Sequence, residues 1–190
     1  MIELKLNRTR VRMDFSFFAV IALFMLFDED CFGLVALICC MLHELAHLIM
    51  MLFLGSPTEV ITFYGAGIRI SSSRIEYENP FRRVLVLAAG CAMNFLCAMV
   101  FARLGYDLAA VISLFTGIFN LLPIGELDGA ALVKMWMIRS CKPENVDRVM
   151  KIIGVIAGIT CSAVLIFIGG FSVTLPITIA YLIIIGSGRL

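Results

Sequence analysis

The sequence predicts an all-α polytopic membrane protein of about six transmembrane helices, with one short membrane-associated β-hairpin between the second and the third. Three observations predict it. Hydrophobic residues make up 62% of the 190 positions and charged ones only 15%, against roughly 45–50% and about 25% in soluble domains. A core of this size cannot hide that excess, so apolar surface must face lipid. The apolar residues also fall into segments near the roughly 20 residues that cross a bilayer, with the charges gathered between them.

The first segment, 13–27, follows the basic start MIELKLNRTRVR. It has no small-residue cleavage site before the acidic flank Asp28-Glu29-Asp30, so it reads as a short span and not as a signal peptide. The second is 31–54. After it, TEVITFYGAGIRISSS at 58–73 places β-branched and aromatic residues on both sides of Gly65-Ala66-Gly67, the pattern of a β-hairpin. Spans three to six are 84–102, 107–124, 150–168 and 171–187, the last two joined by Gly169-Gly170. No internal repeat, low-complexity tract or linker interrupts them, so residues 1–190 form a single membrane domain.

Charge orients that domain. With the N-terminus in the cytosol, residues 1–12, 55–83, 125–149 and the C-terminal tail are cytosolic, and with Lys151 counted at the adjoining interface that side holds 14 of the 15 Lys and Arg, only Arg103 falling opposite. Both termini are therefore expected in the cytosol. A net charge of +1, with no basic tract and no interleaved aromatic patch, excludes a nucleic-acid partner. The seven cysteines are an odd number, and Cys31, Cys39, Cys40, Cys91, Cys97 and Cys161 lie in or beside apolar segments. They read as small packing side chains and not as a disulfide framework. Cys39 and Cys40 stand one turn before a histidine, but zinc thiolates usually come as spaced pairs, so packing is the expected role there too.

The second span carries ICCMLHELAHLIMMLFL, with His43, Glu44 and His47 at its centre. An ionisable side chain at mid-bilayer costs about 2.5–3.5 kcal/mol on insertion scales, which a merely structural helix has no reason to bear. Residues i and i+4 share one helix face, so both imidazoles can bind one ion, and Glu44 beside the first can act as general base. These are the only two histidines in the chain. A hydrolytic zinc usually has a third protein ligand. FNLLPIGELDGA, 119–130, offers Glu126 and Asp128 at a helix end where Pro123 breaks the helix and Gly129 permits an unusual backbone angle. Spacing alone does not choose between the two acids.

With HELAH and Asn120-Leu-Leu-Pro123…Leu127-Asp128-Gly129 together, the chain resembles the site-2 protease family of intramembrane zinc metalloproteases. A Gly-x-x-x-Asn segment usually lies between those motifs, and here it is Gly90-Cys-Ala-Met-Asn94; the family commonly has Pro where this chain has Cys91. The resemblance covers roughly residues 31–135 as a catalytic three-helix core, plus the Gly65-Ala-Gly67 hairpin, with 13–27 and 150–187 as accessory helices. It is similar above all to the small branch that includes stage IV sporulation protein FB, without that branch's nucleotide-sensing CBS domain and without a PDZ domain, so no nucleotide is expected.

What the resemblance implies is specific. Asp128, not Glu126, is the third ligand, with His43 and His47, of one zinc per chain. Glu44 moves the proton of the attacking water to the leaving amine. Asn94 either helps stabilise the oxyanion or makes an interhelical hydrogen bond, and Asn120 contacts the substrate backbone or serves structure. The hairpin with Gly65 and Gly67 either covers the protein or pairs with an unwound substrate, whose backbone needs partners in lipid. The implied substrate is a membrane-anchored protein, such as a pro-sigma factor, in a bacterial cytoplasmic membrane. The active site lies toward the cytosol, and a membrane partner holds the enzyme off. Competing readings are an HExxH peptidase acting outside the lipid, a metal transporter or sensor, and an inactive scaffold; a neighbouring base such as Glu44 has no use in an ion carrier.

Overall fold

A computed structural model describes residues 2–6, 9–27, 31–55, 60–64, 67–71, 80–125, 127–138 and 143–169. The chain divides into two compact units, Met1–Gly117 and Ile118–Leu190.

The first unit holds a four-stranded sheet in the order β1-β2-β3-β4, formed by Ile2–Leu6, Thr9–Met13, Val60–Tyr64 and Gly67–Ser71. The first pair lies in the basic start, residues 1–12, where the sequence reading placed no strand. Ile2, Leu4 and Leu6 alternate with Glu3 and Lys5, and Val11 and Met13 with Arg10 and Arg12, which is a period of two. Counting charge alone hides that alternation. β1 and β2 pair antiparallel, with Glu3 opposite Arg12 and their charged groups 3.6 Å apart. β2 pairs parallel with β3, Arg10 opposite Val60 through Met13 opposite Phe63. A parallel pair needs a long crossover, and here it consists of helices α1, Phe15–Phe27, and α2, Phe32–Phe53. Asp14 caps α1 by accepting the Phe15 N–H at 3.0 Å, while its own N–H donates to the Phe63 carbonyl. β3 and β4 pair antiparallel from Val60 opposite Ser71 to Tyr64 opposite Gly67; Gly65 and Ala66 lie outside the described residues.

α3, Pro80–Arg103, is the main packing partner of α2, and α4 runs from Asp107 to Asn120. α2 and α3 have 22 and 24 residues, about 33 and 36 Å at 1.5 Å per residue, enough for the ~30 Å hydrocarbon layer. Only 28% and 22% of their most apolar windows are buried, too little for core helices of a soluble protein. Along α2, Leu34, Ile38, Met41, Leu45, Ile49 and Leu52 are exposed, while Cys39, His43, Ala46, His47 and Met51 are buried. The outside of this helix is oily and its inside carries the polar groups, the pattern expected where lipid replaces water.

Among the described residues there are six helices, of which α2 and α3 are long and apolar enough to span a membrane. The expected spans 13–27 and 107–124 correspond to α1 and α4, with 13 and 14 residues, each about 20 Å long. The expected span 171–187 lies outside the described residues.

In the second unit, a turn at Leu121–Gly125 precedes α5, Asp128–Ile138, which is followed by α6, Pro143–Gly169. The stretch 125–149, expected to be a cytosolic loop, is therefore largely helical. Its charges depress mean hydropathy without opposing helix formation. Lys134 of α5 donates to Asp147 Oδ1 of α6 at 2.7 Å. Among the described residues of this unit, Ile124, Ala130 and Val146 are the buried hydrophobic ones.

Candidate metal centre

Helical spacing alone stacks His43 above His47 on α2. Both are buried, 3% and 7% exposed, with their rings edge to face at 4.7 Å and their Nε2 atoms 3.0 Å apart. Two nitrogens bound to one zinc at a tetrahedral angle lie about 3.3 Å apart, so this pair already stands near the spacing of a shared cation.

α3 supplies what surrounds the rings. Val86, Gly90 and Asn94 recur every four residues, which places them in one stripe, and all three are buried. The His47 Nδ1–H donates to the Val86 carbonyl at 2.7 Å. That bond sets the tautomer of His47 and leaves its Nε2 as a lone pair. The Asn94 amide sits 3.1 Å from His43 Nδ1. Its side chain is fully buried, and Oδ1 as placed has no hydrogen-bond partner, a situation that costs about 1–3 kcal/mol. Gly90 lies directly under both imidazoles: a Cβ there would fall 2.6 Å from His43 Cε1 and collide with the His47 ring.

Glu44, next to His43 on α2, is half-buried. Asp128 is also half-buried and opens α5. The sequence reading placed an unusual backbone angle at Gly129, and the structure corrects this. The left-handed residue is Gly125, with φ 57°, whereas Gly129 is helical. Gly129 is required for space, because a Cβ there would collide with the Leu121 carbonyl. Among the described residues of the first unit, His43 and His47 are the buried pair whose ring nitrogens stand within reach of one ion; Asp128 belongs to the second unit. Two imidazoles suit zinc, which in hydrolytic sites takes a third protein ligand and keeps one position for water. The orphaned Asn94 oxygen beside the pair fits a centre whose hydrogen bonding is completed when an ion is bound.

The other sequence candidates have plain positions. Asn120 is the last residue of α4 and is half-buried. Gly67 opens β4, and Gly65 and Glu126 lie outside the described residues. Cys39 is buried with its Sγ 3.1 Å from Ser113 Oγ of α4, and Cys40 is exposed. Cys91 is buried within α3, which runs through it unbroken. Sequence reasoning missed Val86 and assigned no role to Gly90. A backbone carbonyl has no signature in a sequence; the spacing 86, 90, 94 was the available signal.

No protein-family model matches the sequence, and no curated protein matches it. Among solved structures, the fold is similar to that of a protein described as a Site-2 Protease from Methanocaldococcus jannaschii. The TM-score is 0.70 at 17% identity, over 100% of this chain and 95% of that one. A likeness at this identity is one of fold.

Proposed function

We propose that this protein is an intramembrane metalloprotease whose zinc is held by His43, His47 and Asp128. The observation that carries the proposal is the buried imidazole pair on an apolar helix, its Nε2 atoms 3.0 Å apart; Asp128 as third ligand is what the sequence resemblance implies. The fold likeness to a site-2 protease supports it. When bound, zinc would supply Lewis acidity, lowering the pKa of a water to about 7. Glu44 then takes the proton of the attacking water and returns it to the leaving amine. The substrate is a membrane-tethered protein, such as an anchored pro-sigma factor, and a membrane partner restrains the enzyme. Its unwound backbone needs hydrogen-bond partners in lipid, and β4, which ends the sheet, offers a strand edge for them. The segregation of Lys and Arg supports cytosolic termini in a bacterial cytoplasmic membrane, with the centre open toward the cytosol.

The test co-expresses tethered reporter substrates with wild type and Glu44→Gln and maps the products by mass spectrometry. Glu44→Gln is expected to keep its zinc and lose about 10²–10⁴-fold in cleavage rate. Undiminished cleavage by that variant would remove Glu44 from its role, and wild-type protein that takes up no zinc would end the proposal.

A further inference from the structure

The two ends of the Asn94 amide have different surroundings. One end meets His43 Nδ1 at 3.1 Å, and the other, placed as Oδ1, has no partner. A half-turn exchanges nitrogen and oxygen, and the hydrogen bonds decide between the two orientations. With Nδ2 toward the ring, His43 offers its Nδ1 lone pair, and the neutral ring carries its proton on Nε2. With Oδ1 toward the ring, the amide accepts from His43 Nδ1–H, and Nε2 becomes the lone pair. This second orientation gives the buried oxygen its partner. It also makes His43 the same tautomer that the Val86 carbonyl makes of His47. The two Nε2 lone pairs then face each other across 3.0 Å. They repel unless a cation lies between them, and with a cation the repulsion becomes coordination.

We infer that Asn94 is a positioning residue of the metal centre: through Oδ1 it holds His43 as the Nδ1–H tautomer, as the Val86 carbonyl holds His47, so that both Nε2 atoms are presented to one ion. The inference rests on the metal-centre reading above, and the test separates the two.

The chain has two histidines, so labelling its imidazoles with ¹⁵N gives four ring nitrogens to assign by NMR. In the zinc-loaded wild type, both Nδ1 atoms are expected to be protonated and both Nε2 atoms metal-bound. A protonated Nε2 or a metal-bound Nδ1 on His43 overturns the inference, and this measurement needs no variant to fold. Zinc affinity is then read by competition with a chelator on folded, monodisperse protein, with the cobalt(II) spectrum reporting coordination geometry. Asn94→Asp keeps an acceptor and is expected to bind zinc within about threefold of wild type or more tightly, whereas Asn94→Leu should bind about 10–100-fold more weakly. Wild-type affinity in Asn94→Leu, or an equal loss in Asn94→Asp, overturns the inference and leaves the protease reading standing. Wild type that binds no zinc ends both.

Discussion

Helices α2 and α3 are similar in length and both are oily on the outside, yet they serve the candidate centre in opposite ways. α2 contributes residue types that announce chemistry: His43, Glu44 and His47. α3 contributes a backbone carbonyl, an amide and the absence of a side chain, at Val86, Asn94 and Gly90. The difference shows that a pair of histidines is only half of a metal site. An imidazole in an apolar interior has two tautomers and a freely turning ring, and a ligand is made of it only when a neighbour fixes both. A helix without one ligand can therefore matter to metal binding as much as the helix that carries them.

Three substitutions sharpen this comparison or break it. The largest effect is expected from Gly90→Ala, which alters no ligand. Its methyl group must displace both imidazoles, so zinc affinity should fall about 10–100-fold in chelator competition while the helical content of the purified protein holds. Wild-type affinity in this variant would mean that α3 is only a packing partner. Gly117→Ala acts one step further away. Its Cβ would lie 3.2 Å from Asn94 Cβ and 3.1 Å from the Phe95 ring. Overpacking of this kind costs about 1–3 kcal/mol, seen as a lower melting temperature in detergent, with a smaller loss of zinc affinity than in Gly90→Ala. The smallest effect belongs to Ser113→Ala, which removes the Cys39–Ser113 contact between α2 and α4. Interhelical hydrogen bonds in membranes average about 0.6 kcal/mol, so stability should drop slightly and zinc affinity not at all. A large loss of zinc there would move Cys39 from packing into the metal centre.

Much of this protein was legible before any coordinates. The run 31–54 matches α2 at Phe32–Phe53, and the hydrophobic excess reappears as the exposed apolar stripe along that helix. Other features were hidden for identifiable reasons. The strand Ile2–Leu6 and its partner were masked by their charge, because alternating residues average to a polar tail. Helix α5 was masked in the same way inside a segment that reads as loop. Gly129 suggested a special backbone angle, but Gly125 takes that angle and Gly129 makes room for a carbonyl.

The sequence by itself determined the face shared by His43 and His47, because helical periodicity acts between residues four apart and needs no partner. It also determined that this face is out of place in an oily helix, because composition sets the cost of burying it. Only the tertiary structure decided which atoms of those rings are available. Val86 and Asn94 are 39 and 51 positions away from the histidines they hold, and no local rule spans such a distance. Their contribution comes from a carbonyl that every residue possesses and from an amide whose direction is set by its neighbours, so it exists only once α3 is packed against α2.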